Sequence, residues 1–360
     1  MDPGSRYQPT FGDGGLTRAF AKTNLLLALR GNEDAAWYLQ QIDYLKPADV
    51  ERFIAVKPGA ILPTEPTWNP SSCFVDVGYA SLRDGHNADS PFLAFKCGPP
   101  DLAVGHNHFD HNSFQIAFDG TWLATDPGYR SYFQPRERKY TTASFGHNTI
   151  ALDVTSEFLA DTKCPAVGHG QVRVNKGRIV RHFSSPGFDY VAGSAAETYN
   201  TDDRQVLEKF ERQVLFVKPN LFITRDVLAA PEAHSFHYML HTDATGLIEV
   251  AGANEARLRR GRDLLEAHIF SPAGLTLTTA IYPGAESRGP YLNAATPVGK
   301  AVVITAALVP RVSPPALVNP GFESGMIGWT PRRMPGFTEN HVIDDEVAHS
   351  GARSARIDGP

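Results

Sequence analysis

The sequence has little cysteine and no long apolar run. Only three of its 360 residues are cysteines (Cys73, Cys97 and Cys164), and none forms a CxxC pair. This argues against a disulfide framework and against a zinc site made of cysteine pairs. No apolar stretch approaches the ~20 residues of a membrane-spanning helix, and the first ten residues lack the basic start and apolar segment of a signal peptide.

The sequence also lacks a strong positive charge. It contains no run of five or more Lys or Arg residues, and its formal net charge is -5 at pH 7. We therefore expect neither nucleic acid nor a membrane as a partner, although a locally basic cleft could still bind a polyanion. A hydrophobic content of 42% is enough for a substantial core. A chain of this length has room for two or three domains, or for one large β-domain with attachments.

The pattern of apolar residues divides the chain into three parts. Residues 15–56 have helical spacing, with a helix that stops at Gly31, a second that begins after Asn32 as N-cap, and a third over residues 48–56. A proline-rich stretch follows, and then short runs rich in Val, Ile, Phe and Thr alternate with turns. One of these turns is the Asp119-Gly120 hairpin. The spacing predicts a mainly β protein with a large antiparallel β-sandwich.

Histidine is concentrated in two places. The segment GHNHFDHNSF (105–114) holds three of the 13 histidines, and ASFGHNTI (143–150) repeats the Gly-His-Asn signature. On an extended strand His106 and His108 would point to the same side. Imidazole nitrogen and carboxylate oxygen are zinc ligands. One or two histidines of the first segment, together with Asp126 and His147, therefore predict a His/Asp/His metal site.

This metal site places a demand on the strands. Regular pairing around the Asp119-Gly120 turn sets Ser113 opposite Asp126, which places His108 and Asp126 on opposite faces. The site therefore requires a bulge or an irregular stretch near residues 109–112.

The loop between Asp126 and His147 combines tyrosines with basic residues. They are Tyr129, Tyr132, Tyr140, Arg130, Arg136, Arg138 and Lys139. A phenol becomes a useful proton shuttle when nearby positive charge lowers its pKa. The basic side chains could supply that charge and also bind an anionic substrate.

In order and spacing, HNHFDHNSFQIAFDGTWLATDPGYRSY and FGHNTIALD resemble the sandwich domain of heparinase II/III-like polysaccharide lyases. The similarity extends upstream through FVDVGYASLR and downstream through FERQVLFVKPNLFITRDVL. It implies three regions. Residues 1–57 would be the last helices of an (α/α) toroid, residues 58–312 the sandwich, and residues 316–360 the start of a jelly-roll carbohydrate-binding module.

The resemblance also implies an activity, which is β-elimination at a 4-linked uronic acid in an acidic polysaccharide. Matched motif by motif, His108, Asp126 and His147 fall on the ligands of a largely structural Zn²⁺. His106 falls on the cleft histidine, and either Tyr132 or Tyr140 on the cleft tyrosine. The family's principal catalytic tyrosine belongs to toroid helices that lie outside this chain. A secreted or periplasmic location is implied as well.

Two other functions fit part of the pattern. A non-catalytic, zinc-stabilised fragment that binds glycans would use the same ligands without the elimination. A cupin-type metal oxygenase also begins with His-x-His before a glycine hairpin, but Ser113 occupies the position where that motif needs a glutamate. Neither the particular uronate nor the oligomeric state can be inferred from the sequence.

Overall fold

The computed structural model describes residues 8–14, 21–44, 63–102, 105–129, 133–160, 169–313, 340–344 and 354–358. The chain divides into two compact units, Met1–Val312 and Ser313–Pro360. Within the described residues, no helix is long and apolar enough to cross a membrane. Tyr132 and the predicted helix over residues 48–56 lie outside the described residues.

Two of the three predicted N-terminal helices fall within the described residues and are confirmed. They are α1 (Ala21–Ala28) and α2 (Glu33–Gln41). Asn32 caps α2 as predicted, since its side-chain oxygen accepts a hydrogen bond from the Ala35 amide at 2.7 Å. Gly31 separates the two helices with a φ of 89°, a backbone conformation that favours glycine. Apolar side chains such as Leu25 and Leu39 pack the helices together.

The rest of the first unit is built mainly from strands. In chain order these are β1 (Ser72–Phe74), β2 (Tyr79–Arg83), β3 (Phe92–Lys96), β4 (Ser113–Phe118), β5 (Thr121–Ala124), β6 (Ile150–Leu152), β7 (Arg178–Ser184), β8 (Phe188–Ser194), β9 (Lys209–Val217), β10 (Leu221–His234), β11 (Phe236–His241), β12 (Leu247–Gly252), β13 (Glu255–Arg260), β14 (Asp263–Phe270), β15 (Thr276–Ile281), β16 (Pro290–Ala295) and β17 (Gly299–Val312). Two further helices, α3 (Pro135–Thr142) and α4 (Ser156–Ala160), lie between β5 and β7. Sequence reasoning had confined helix to residues 15–56, so these two are additional.

The strands form three antiparallel sheets. The first has the order β1-β2-β3-β4-β5, the second β12-β13-β14-β17-β10-β9-β8-β7, and the third β15-β16-β11-β6. The first and third sheets join where the Thr125 amide donates to the His241 carbonyl at 2.9 Å. One hydrophobic core takes residues from all three sheets, including Phe95, Phe216 and Leu292. The predicted mainly β fold with large antiparallel sheets is confirmed.

The first sheet also has a second, smaller apolar face turned away from this main core. Leu93, Phe95, Phe114 and Ile116 point into the main core. Their neighbours in the strands point the other way, and Phe11 from the segment 8–14 covers that opposite face together with Phe92, Ala94, Ala117 and Trp122. This outer face carries the candidate site.

The second unit contributes one described hairpin. Strands β18 (Asn340–Asp344) and β19 (Ser354–Asp358) pair in antiparallel orientation. The prediction that residues 316–360 begin a carbohydrate-binding module stays a prediction, as do the boundaries of the other two regions.

Candidate catalytic and metal site

The first histidine segment is irregular. Strand β4 begins at Ser113, and residues 105–112 form turns and bends. His106 has a φ of 70° and Asn112 a φ of 58°, values that break an extended strand. The prediction that His106 and His108 share one face of a strand is therefore wrong, because the chain turns at His106.

His106 and His108 are brought together by Asp13, a residue that the sequence analysis did not select. His106 Nδ1 lies 2.8 Å from Asp13 Oδ2, and His108 Nε2 lies 2.9 Å from Asp13 Oδ1. The side chain of His106 is 76% exposed, whereas those of Asp13 and His108 are 6% and 0% exposed. One buried carboxylate thus orients an exposed imidazole and a buried one.

Asp126 and His147 are in contact as predicted. His147 Nδ1 lies 2.7 Å from Asp126 Oδ2, and both side chains are fully buried. The required irregularity is present twice. One part is the turn at residues 105–112, and the other is a register shift in β5. Ala117 lies opposite Trp122, but Ile116 lies opposite Ala124, so Leu123 is an extra residue. This bulge changes the face on which the residues after β5 point.

Asp110 and Lys96 complete the buried charges. Lys96 Nζ lies 2.6 Å from Asp110 Oδ1, with both side chains essentially inaccessible to solvent. The Gly12 amide donates to Asp110 Oδ2 at 3.2 Å. The ligand atoms of Asp110, Asp126 and His147 all lie within 4.8 Å of one another, a spacing that could hold a metal ion. This group contains two of the three predicted metal ligands, Asp126 and His147, together with Asp110, which the sequence analysis missed; the third predicted ligand, His108, lies beside it with its ring 5.4 Å from that of His147.

Burial and pairing act in opposite directions on these groups. Burial alone would lower the pKa of the Lys96 ammonium, but the Asp110 carboxylate outweighs it and the pKa is raised. Burial likewise opposes charging of His147, and Asp126 reverses the effect, so that the His147 pKa is raised. His108 gains less from its partners, and burial lowers its pKa to about 4. His108 is therefore a neutral imidazole at pH 7.

The donor set fits a divalent cation such as zinc. His108 and His147 each have one ring nitrogen on a carboxylate, and the remaining nitrogens, His108 Nδ1 and His147 Nε2, are buried without a hydrogen-bond partner. The two rings lie 5.4 Å apart between centroids. Histidines that bind metal characteristically donate their other N–H to a carboxylate or carbonyl. Unpartnered buried nitrogens are costly unless something fills their lone pairs.

A buried arginine fixes the backbone beside both histidine segments. Arg212 of β9 forms a two-pronged ion pair with Asp226 of β10, with both N–O distances 2.6 Å. Its Nη1 donates to the carbonyls of Asn112 and Asn148 at 2.7 and 2.5 Å. Each of these asparagines directly follows a histidine, His111 or His147. One guanidinium therefore ties together the two segments that carry the site.

Of the two candidate tyrosines, Tyr140 lies within the described residues. Tyr140 lies in α3 and is 2% exposed, with its ring stacked on Tyr282 at 5.1 Å and near His241. Burial raises the Tyr140 pKa well above its ordinary value. Tyr132 lies outside the described residues. The assignment of either tyrosine to catalysis stays a prediction.

The fold and the site together define an antiparallel β-sandwich protein with a histidine–carboxylate centre on the outer face of one sheet. Residues 67–288 match the family model described as Heparinase II/III-like, C-terminal. Since this match covers more than half of the 360 residues, the chain belongs to that family. This match confirms the resemblance seen in the motifs. It does not agree with the alternative of a cupin-type metal oxygenase. No curated protein sequence matches the chain.

Solved structures share the fold at low sequence identity. Heparinase III, the BT4657 gene product, superposes with a TM-score of 0.64 at 14% identity, covering 100% of this chain and 50% of that one. Heparan sulfate lyase HepC from Pedobacter heparinus gives a TM-score of 0.62 at 13% identity, covering 98% of this chain and 50% of HepC. The chain therefore spans about half the length of these similar structures.

Proposed function

We propose that this chain carries part of the catalytic site of a polysaccharide lyase that cleaves 4-linked uronate polysaccharides by β-elimination. The observation that carries the proposal is the exposed His106 imidazole, held by the buried Asp13 carboxylate. An exposed imidazole with one nitrogen fixed is suited to proton transfer. The family membership supplies the reaction class.

The reaction requires two proton transfers and a neutralised carboxylate. A base takes the C5 proton, the electron pair forms the C4–C5 double bond, and the bond from C4 to the leaving oxygen breaks. The leaving oxygen then takes up a proton. The C5 proton is barely acidic beside a charged carboxylate, so positive charge or hydrogen-bond donors must stabilise the developing negative charge.

His106 is the group that we assign to proton transfer in this chain. Asp13 accepts the Nδ1–H hydrogen bond, which leaves Nε2 on the exposed side of the ring to take or give a proton. The buried carboxylate also stabilises the imidazolium that forms. For the second proton position we propose Tyr132 in preference to Tyr140, because Tyr140 is enclosed by other aromatic rings.

We further propose that zinc binds at this site and is held by His108 and His147 with oxygen from Asp110 or Asp126. The unpartnered nitrogens His108 Nδ1 and His147 Nε2 support this assignment. When bound, the ion would supply fixed positive charge and hold the histidine segments in place. Asp13 contacts both His106 and His108. An ion that fixes His108 would therefore also help to fix Asp13 and, through it, His106.

The proposed substrate is an acidic polysaccharide of the heparan or alginate type, and the proposed location is secreted or periplasmic. The buried charges favour a second candidate function. The charge of Lys96 is balanced by Asp110, and that of His147 by Asp126. Such a cluster could serve stability alone. The chain would then be a non-catalytic, zinc-stabilised glycan-binding fragment.

The deciding experiment incubates the chain with a panel of uronate polysaccharides and follows the ultraviolet absorbance of the unsaturated product. His106→Ala should abolish whatever elimination signal the chain gives. His86→Ala is the matched control, since His86 contacts the carbonyl and the ring of Trp68 and lies outside the site. Asp13→Asn should lower the rate, because the neutral amide holds the His106 ring less firmly than the buried carboxylate does. Saccharide binding without product on any substrate would support the non-catalytic function instead.

A further inference from the structure

The segment 8–14 is bonded through its backbone to the turn that carries His106 and His108. The Asp13 amide donates to the His106 carbonyl at 2.9 Å, in addition to the two contacts that the Asp13 carboxylate makes with the histidine rings. Gly12 has a φ of 59°, and a Cβ at this position would lie 2.6 Å from the His106 carbonyl oxygen. Residues 12 and 13 therefore have little room to move without moving the carboxylate.

Asp13 gives its two histidines opposite tautomers. Its Oδ2 accepts from His106 Nδ1, and its Oδ1 accepts from His108 Nε2. A neutral imidazole carries one ring proton, so the nitrogen that does not donate keeps a lone pair. The lone pair of His106 is therefore on Nε2, in a ring that is 76% exposed. Water bonds to either nitrogen of an exposed imidazole, so this tautomer depends on where Asp13 lies.

A buried ion pair sets the position of Gly12 from inside the first sheet. Asp110 Oδ2 accepts from the Gly12 amide at 3.2 Å, and Asp110 Oδ1 accepts from Lys96 Nζ at 2.6 Å. Lys96 Nζ also donates to Asn107 Oδ1 at 3.4 Å, and Asn107 lies between the two histidines in the chain. The ammonium thus acts on both sides of the contact, on the segment 8–14 through Asp110 and on the histidine turn through Asn107.

Lys96 is itself held rigidly. It is the last residue of β3 and pairs with Ser113, the first residue of β4. Its side chain is 1% exposed and that of Asp110 is 0% exposed. Hydrogen bonds between charged groups are shorter and stronger than those between neutral groups. Because neither side chain reaches solvent, Lys96 acts on the exposed histidine only through its neighbours.

We propose that Lys96 is a positioning residue for His106. Its ion pair with Asp110 fixes the Gly12 backbone, and so fixes the carboxylate of the next residue, Asp13. Asp13 in turn imposes the Nδ1–H tautomer on His106, which leaves the lone pair of the exposed Nε2 available to accept a proton. The contribution to elimination rests on the proposed lyase function, whereas the control of the tautomer does not. The sequence motifs did not indicate Lys96, because it lies in a strand outside both histidine segments.

The test reads the ring tautomer of His106 by nuclear magnetic resonance of the chain with ¹⁵N-labelled histidine. It is done at alkaline pH, where imidazoles are neutral, and the N–H nitrogen and the lone-pair nitrogen then give separate signals. The sequence has 13 histidines, and His106→Ala identifies the relevant signals. In the parent chain the proton should be on Nδ1. In Lys96→Met the Nδ1–H form should fall to about half of the population or less, because Asp13 no longer holds the ring in one orientation.

Lys218→Met is the matched control. Lys218 lies between β9 and β10, is 8% exposed in its side chain, and pairs with the buried Asp189 at 3.3 Å. Both variants break a buried lysine–aspartate pair and should lower the melting temperature. Only Lys96→Met should change the His106 tautomer. Lys96→Gln ends one atom short of the ammonium, so it should change the tautomer less but in the same direction, and it replaces Lys96→Met if that variant does not fold.

Gly12→Ala tests the last step without removing a buried charge. The added methyl group would collide with the His106 carbonyl and displace the segment, so we expect the same loss of the Nδ1–H form. Gly31→Ala is its control, since Gly31 also has a positive φ, of 89°, but an added Cβ there meets nothing within 4 Å.

An unchanged His106 tautomer in the Lys96 variants or in Gly12→Ala overturns the proposal. An equal change in Lys218→Met also overturns it, because the effect would then be a general loosening of the fold. No elimination is measured in this test. Loss of the tautomer in Lys96→Met, with no product on any polysaccharide, would therefore support the positioning role and contradict only the proposed lyase function.

Discussion

Replacing Arg212 by methionine tests the internal support of the site most directly. The change removes a guanidinium that is fully buried, as is its partner Asp226. It leaves one carboxylate without its cation and deprives the Asn112 and Asn148 carbonyls of their donor. Breaking a buried ion pair by removing one partner costs about 3–5 kcal/mol. Each lost hydrogen bond adds about 1 kcal/mol.

We therefore expect Arg212→Met to lower the free energy of unfolding by about 5–7 kcal/mol, measured by urea denaturation with circular dichroism. The melting temperature should fall by about 10 °C or more. The double variant Arg212→Met/Asp226→Leu removes both charges and loses only the two carbonyl contacts. It should recover most of the loss, to within about 2 kcal/mol of the parent chain.

The pH dependence gives this prediction a second measurement. Burial raises the pKa of Asp226 even with Arg212 beside it. Removing the arginine raises it further, and a carboxyl with a raised pKa stabilises below its unfolded pKa and loses that contribution as the pH rises. The deficit of Arg212→Met should thus be smaller at pH 5 than at pH 7. A loss under about 1 kcal/mol, or a double variant no more stable than the single one, would refute the reasoning.

Three further predictions concern zinc binding, the pH dependence of stability and the space beside Gly146. Zinc should copurify in stoichiometric amount, and elemental analysis should find it lost in His147→Ala; a metal-free parent chain with normal stability would contradict this. Burial lowers the pKa of His241 to about 3. The neutral, buried His241 therefore contributes its full stability above the unfolded pKa of about 6.5, and the free energy of unfolding falls by about 2 kcal/mol as the pH is lowered from 6.5 to 5. In His241→Gln the free energy of unfolding should fall by about 2 kcal/mol less over this pH range. The same pH dependence in the variant and the parent chain would contradict the prediction. Gly146→Ala would place a methyl group against the Tyr140 carbonyl and should cost about 1–3 kcal/mol in denaturant unfolding, whereas Gly187→Ala, which meets nothing within 4 Å, should change stability by less than about 0.5 kcal/mol.

The local features of the fold were predictable because they depend on neighbouring residues. The Asp119-Gly120 hairpin needs two residues with positive φ, and both have it, at 48° and 79°. Asn32 caps its helix through a contact three residues away. Asp126 and His147 could be paired because the repeated Gly-His-Asn signature drew attention to His147, and a carboxylate that could share a metal with it lies 21 residues earlier. In each case the sequence separation is short or the pattern is repeated.

The features that were missed had different causes. Asp13 lies 93 residues before His106, and no local pattern links the segment 8–14 to the outer face of the first sheet. Asp110 was present in the histidine segment, but the assumption of a regular strand drew attention to His106 and His108. Helix α3 was missed because five of its eight residues, Glu137, Lys139, Tyr140, Thr141 and Thr142, are buried although most are polar. Its Pro135 at the first turn was the available signal.

The recurrence of His-Asn in this chain follows from a division of labour between neighbouring residues. In His147-Asn148 the histidine turns toward Asp126, while the Asn148 amide donates to the Phe114 and Thr125 carbonyls and accepts from the His241 amide. The asparagine thus joins β4, the end of β5 and β11 at the base of the site.

The pair His111-Asn112 differs, since Asn112 donates to the Gly193 carbonyl of β8. Both asparagine carbonyls nevertheless meet Arg212. These two of the chain's four His-Asn pairs therefore mark points where the site is anchored to the sandwich core, and of their two histidines His147 belongs to the candidate metal centre. Motif spacing alone gives His111 and His147 equal weight, and the contact of His147 with Asp126 separates them.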